Sequence, residues 1–124
     1  MFNHKPKKMK VYKLFSIEEI RIAWKTDDKR IHIEDTFGAN LRSQRLKLFF
    51  KKGFKCVNCG IEGVYFSAEK ALYGNDRNPH LNLYTAEGIL ITKDHIVAKS
   101  KGGKNHLNNY QTMCAPCNLK KGCD

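Results

Sequence analysis

Polar and apolar positions follow two different rhythms along this chain, one of helical spacing and one of strict alternation. Ser16 and Glu19 have the spacing of a capping box, and Ile17, Ile20 and Trp24 follow at helical intervals. They predict an amphipathic helix ending near Thr26, Asp27 and Asp28, with Trp24 packed in the core. Residues 30–34, from Arg30 to Glu34, alternate with period two and predict a short strand. His32 is then a surface or half-buried strand residue rather than a ligand. Asn40 predicts the cap of a second helix running to Lys52, which buries Leu41, Leu46, Phe49 and Phe50 and is stopped by Gly53.

Beyond the second helix the pattern is looser. Val64 to Phe66 predict a strand, and Ser67 to Tyr73 a short helix. Gly74 to Pro79 predict a loop. Two apolar runs, Leu81 to Tyr84 and Ile89 to Thr92, flank a turn containing Gly88 and predict a hairpin. No internal repeat is present.

Composition narrows the class. A chain of 124 residues supports one modest core and is too short for two. Lys and Arg number 23 against 12 acidic residues, a formal charge of +11. Such an excess suits a polyanionic partner, because each cation that meets a phosphate releases condensed counterions. Residues 1–56 hold 15 basic and 6 acidic side chains, whereas residues 57–124 hold 8 and 6. The first half is therefore the expected electrostatic grip, and Arg42 and Arg45 on the second helix are its candidate phosphate contacts. No apolar run is long enough to span a bilayer, and the start lacks the apolar stretch of a signal peptide. Met1 to Lys10 are expected as a basic arm. A cytoplasmic protein with no membrane partner follows, and its five cysteines are poor disulfide candidates.

Four of those cysteines form two chelating pairs, Cys56 with Cys59 and Cys114 with Cys117. Two such pairs in one chain suit tetrahedral thiolate coordination of Zn²⁺. With four sulfurs bound, no position is open for a substrate, so the zinc is expected to be structural. The alternatives are buried free thiols or a redox pair. Cys123 is left over, as a free surface thiol or as a replacement for Cys114 or Cys117 in the cluster.

The run from Asp94 to Gly122 carries the reactive chemistry. Asp94 offers a carboxylate and Asn118 an amide carbonyl, two oxygen donors of the kind Mg²⁺ favours. His95 can take a proton from an attacking water, and a divalent cation would stabilise the charge that builds on a phosphate. Together these suffice for phosphodiester hydrolysis. Pro116 fits the first turn of a helix, which would tie Asn118 to the cysteine cluster and put Lys121 on the same helix face. In a regular strand Asp94 and His95 would point to opposite faces, so the strand must end or bend there. Lys99, Lys101, Lys104 and Lys121 are candidate phosphate contacts, and His106 is a rival base in the adjoining loop.

Residues 56–122 resemble the HNH (His-Me finger) nucleases. Asp94 and His95 match the family's first motif, Asn109 its central asparagine, and Asn118 the place of the last histidine. The resemblance implies an α+β fold with a ββα-metal core, residues 56–124, stapled by the four-cysteine zinc site. Residues 1–55 are then a basic, mainly helical extension. It also implies His95 as general base, Asp94 and Asn118 as ligands of one catalytic cation, and Asn109 as a brace that faces His95 toward the water. An oxygen ligand at 118 favours Mg²⁺ or Mn²⁺ there. The expected activity is a metal-dependent endonuclease acting on double-stranded DNA and leaving 5′-phosphate ends. It would work as monomer or homodimer, with phage or mobile-element (homing) coding as one source and the host cytoplasm as its location. The alternative is a non-catalytic zinc-containing DNA-binding module.

Overall fold

A computed structural model describes residues 8–34, 37–73 and 78–122. Most of the expected basic arm, most of the loop from Gly74 to Pro79, and Cys123 lie outside them. Strand β1 (Met9–Ser16) leads straight into helix α1 (Ile17–Trp24) through the capping box. The Ser16 hydroxyl accepts from the Glu19 N–H at 3.0 Å, and the Glu19 carboxylate accepts from the Ser16 N–H at 2.8 Å. These bonds hold the Glu19 pKa below its ordinary value. Ile20 is fully buried and Trp24 stacks on Phe50 with centroids 5.0 Å apart. The expected strand is present as β2 (Arg30–Glu34), which pairs with β3 (Phe37–Asn40) in a separate two-stranded ribbon.

Asn40 does not cap a helix. It is the last residue of β3, and its side chain accepts instead from the Arg42 N–H at 2.7 Å, a local bond that competes with helix entry. Helix α2 (Gln44–Lys52) starts later, with Ser43 as its cap and the Leu46 N–H as the donor at 3.2 Å. Gly53 ends it at φ +108°, a conformation open to glycine.

Both arginines expected to face phosphate are engaged elsewhere. The Arg42 guanidinium donates to the carbonyls of Trp24, Thr26 and Asp28, clasping the turn after α1. Arg45 reaches inward and donates to Asn82 Oδ1 at 2.7 Å. Burial lowers the Arg45 pKa, opposed by the neighbouring Tyr84 and Glu69.

The main sheet runs β1-β4-β5-β6-β7, each neighbouring pair antiparallel. Strand β4 (Gly63–Ala71) replaces the short helix expected over residues 67–73. Its Ala, Glu and Lys residues favour a helix locally. Laddering on both sides, to β1 and to β5 (His80–Thr85), overrides that preference and buries Ser67, Ala68 and Glu69. Glu69 survives burial because its carboxylate accepts from Asn82 Nδ2 at 2.8 Å and from the Tyr84 hydroxyl. Burial and that carboxylate push the Tyr84 hydroxyl far above the ordinary phenol range.

The hairpin forms as expected, from β5 through a turn at Thr85 to Gly88 into β6 (Leu90–His95). Strand β7 (Tyr110–Cys114) then passes directly into α3 (Ala115–Lys121). Both α2 and α3 pack on β6 and β7, from opposite sides. The Tyr110 hydroxyl bonds to Gln44 of α2, whereas Gln111, the next residue, faces Asp94 and the end of α3. The core gathers Phe15, Ile20, Leu46, Phe49, Phe66, Leu83 and Ile91, each worth about 1.5–3 kcal/mol when fully buried. The extension expected over residues 1–55 is not mainly helical among its described residues: two helices share them with three strands, and β1 is an edge of the main sheet. Among the described residues, no helix is long and apolar enough to cross a membrane.

Candidate functional site

The two cysteine pairs meet. Cys56 and Cys59 lie on a turn that docks on β7 through the Val57 N–H and the Thr112 carbonyl, 2.9 Å apart. Cys114 ends β7 and caps α3, and Cys117 sits in its first turn. Their four sulfurs lie within 4.8 Å of one another, with Cys59 and Cys114 3.7 Å apart. A tetrahedral Zn²⁺ with Zn–S bonds of about 2.3 Å spaces its sulfurs by roughly 3.8 Å, so the cluster has the dimensions to hold one. Donors already converge on the sulfurs: the N–H of Cys59 on Cys56, that of Cys117 on Cys114, and Asn58 Nδ2 on Cys117 at 3.3 Å. Burial pushes the Cys56 thiol up, but N–H groups of Cys114, Cys59 and Asn58 outweigh it and bring the pKa to about 6. Burial and neighbouring thiols push Cys114 up to about 12.

A second group of candidate residues adjoins that cluster along the chain, since Asn118 directly follows Cys117 in α3. Its Nδ2 donates to Thr92 Oγ1 at 2.9 Å, and Thr92 donates on to the Met113 carbonyl at 2.6 Å. This chain turns the amide nitrogen toward β6 and leaves the amide oxygen for another partner. Asp94 is buried, and its Oδ2 accepts from Gln111 Nε2 at 2.9 Å and from Lys121 Nζ at 2.7 Å. His95 is the last residue of β6. Its Nε2 lies 2.8 Å from Asn105 Oδ1, and its ring meets Tyr110 edge-on at 5.1 Å.

Alternation therefore holds to the end of the strand, with Asp94 toward α3 and the His95 ring toward Tyr110. The strand stops there, and residues on both sides of its tip border one cleft of about 380 Å³. Asp94, His95, Lys99, Asn118 and Lys121 line it. Lys93 lines it too, with its ammonium 4.2 Å from the Tyr110 ring centroid. Burial and the charges of Arg45 and Lys99 lower the Lys93 pKa. The donor set suits a hard divalent cation, one carboxylate and one amide oxygen with room for water and phosphate. A cationic group already lies against the carboxylate, the Lys121 ammonium.

Asn109 is committed to the loop after β6. Its Oδ1 accepts from the Val97 N–H at 2.9 Å, and its Nδ2 donates to the Val97 and Lys104 carbonyls at 3.1 and 3.0 Å. Gly103 lets the loop close, since a Cβ there would lie 1.8 Å from the Val97 oxygen. We expect Asn109→Ala to cost about 1–3 kcal/mol in denaturant unfolding, the scale of losing a few hydrogen bonds. Amide exchange at Val97 should accelerate; an unchanged rate there would contradict the brace.

The remaining candidates divide. Lys99 and Lys121 border the cleft, and Lys101 lies on the same loop as Lys99. Lys104 and His106 line a different recess beside Gly102 and Gly103, and His106 Nδ1 accepts from the Asn108 N–H at 3.1 Å. Arg42 and Arg45 border neither. Sequence reasoning missed Thr92, Asn105 and Gln111, the partners of Asn118, His95 and Asp94. Gln111 was readable only from the register that sets it opposite Asp94.

Residues 85–124 match the family model described as HNH endonuclease. The matched segment takes in β6, β7 and α3, with Asp94, His95, Asn109, Asn118 and the second cysteine pair, whereas Cys56 and Cys59 precede it. Searches of curated proteins and of solved structures found no match to the chain.

Proposed function

We propose, from a chain whose residues 85–124 match the HNH endonuclease family model, that the protein hydrolyses DNA phosphodiester bonds with one divalent cation. Strands β6 and β7 with α3 would be its ββα-metal core. Asp94 and the amide oxygen of Asn118 would hold Mg²⁺ or Mn²⁺, and the four cysteines a structural Zn²⁺. The observation that carries this reading is the single cleft bordered by Asp94, His95 and Asn118 inside the matched segment.

Asn105 offers its carbonyl oxygen to His95, and a carbonyl only accepts, so Nε2 donates to it and Nδ1 is the nitrogen left to serve as the base. Nδ1 then takes a proton from water as the water oxygen bonds to phosphorus and the bond from phosphorus to the 3′-oxygen breaks. The departing oxygen is protonated from solvent, leaving 3′-hydroxyl and 5′-phosphate ends. A bound divalent cation supplies charge stabilisation for the phosphate and the leaving oxygen. Asn109 keeps the loop after His95 closed, and Lys99 faces the phosphate. Double-stranded DNA is the proposed substrate, with the +11 charge supplying affinity that weakens with salt.

End-labelled duplex and single-stranded DNA, incubated across a divalent-metal series, test this. Product should form with Mg²⁺ or Mn²⁺ and vanish in chelator. Salt-sensitive DNA binding with no cleavage under any divalent cation would establish the alternative, a non-catalytic zinc-containing module.

A further inference from the structure

We propose that Lys121 is an internal counter-cation, seated where the divalent ion must bind, and that it yields its place when phosphate arrives. The inference rests on Asp94 and Asn118 being the cation's ligands. Asp94 has 7% of its side chain exposed, and a carboxylate so buried needs a positive partner. Among the described residues Lys121 supplies it, with Nζ 2.7 Å from Oδ2 and a second bond to the His95 carbonyl.

Gln111 and Lys121 both bond to Oδ2, so a divalent ion on the same carboxylate lies close to the ammonium and is repelled by it. The two therefore compete. Lys121 can leave: its side chain is 33% exposed, and it stands in the last turn of α3, where the chain ends its helix at Gly122. The cleft it borders is where the phosphate would lie, so the displaced ammonium has an anion to move to. Gln111, 2.9 Å from the same Oδ2, keeps the carboxylate in place during the exchange. Metal and nucleic acid then favour each other's binding reciprocally. An empty site is closed by its own lysine, which guards against idle metal uptake.

The distinctive expectation is that removing this charge tightens metal binding while slowing cleavage. Mn²⁺ binding to the zinc-loaded full chain, followed by electron paramagnetic resonance without DNA, measures it. Lys121→Met should bind Mn²⁺ about tenfold tighter than the parent, within the usual range of coupling between sites. Lys121→Arg, which keeps the charge, should remain near the parent. Lys121→Gln, which keeps a donor without the charge, should follow Lys121→Met and serves if that variant folds poorly. Duplex DNA, added in a His95→Ala background to prevent cleavage, should tighten Mn²⁺ more where residue 121 is charged than where it is not. Equal or weaker binding by the uncharged variants, with Asp94→Asn abolishing Mn²⁺ binding, would overturn the exchange and leave the ligand assignment standing. Mn²⁺ retained by Asp94→Asn would overturn the ligand assignment and the exchange with it.

Discussion

His95→Ala should leave a folded, zinc-loaded protein that binds DNA normally and cleaves it about 10²–10⁴-fold more slowly, the usual contribution of a positioned general base. The imidazole meets the Asn105 carbonyl and the buried Tyr110 ring, and is itself only half-buried, at the border of the cleft. Truncation therefore removes a proton acceptor at the tip of β6 without opening a large cavity. Plasmid nicking followed against time measures the loss, and zinc content with DNA affinity establishes that only the chemical step has changed. His106→Ala provides the contrast. That residue lines the recess beside Gly102 and Gly103, so its replacement should leave the rate near the parent's. Equal activity of His95→Ala and parent would assign the base elsewhere, and selective loss in His106→Ala would name it.

Removing zinc should do more than slow the protein: it should unfold the part that forms the site. Structural zinc contributes on the order of 10 kcal/mol in small zinc modules, and whole domains are stable by about 5–15 kcal/mol. The two are comparable, so little folding free energy remains without the metal. The consequence is local first. Cys114 joins β7 to α3, and Cys117 adjoins Asn118, so freeing these thiols releases the helix that carries Asn118 and Lys121. Chelation, or Cys114→Ser, should lower the melting temperature sharply and abolish Mn²⁺ binding in the same titration. Zinc loading should also fall with acidification, because protons compete for the thiolates. A zinc-free protein that melts as the parent does and still takes up Mn²⁺ would show the cysteine cluster to be irrelevant to the second centre.

What could be read from the sequence was local. Ser16 and Glu19 are three residues apart and cap each other; Arg30 to Glu34 alternate; Gly88 turns a hairpin between two apolar runs. Each of these depends on neighbours in the chain. The cysteine pairs were legible for the same reason, since the spacing inside each pair is itself a chelating geometry. Misreadings came where distant partners decided. Residues 67–71 have helix-forming side chains, but β1 and β5, one before and one after them in the chain, enclose them. Arg45 resembles a surface cation until Glu69 and Asn82 are brought beneath it. The site shows the same division. Its candidate residues could be named from their order in the chain, whereas the pairings of His95 with Asn105 and of Asp94 with Gln111 and Lys121 required the register of β6 against β7 and the placement of α3.

Time of synthesis gives the edge strand β1 a further meaning. Met9 pairs with Ala71 and Ser16 with Tyr65, partners separated by roughly fifty to sixty residues, a closure whose entropy must be met before any of its bonds form. On the ribosome the first strand therefore emerges without its mate and waits while α1, the β2–β3 ribbon and α2 are made. Its exposed Lys10 and Lys13 are useful in that interval, because charged side chains on an unpaired strand discourage it from pairing with another nascent chain.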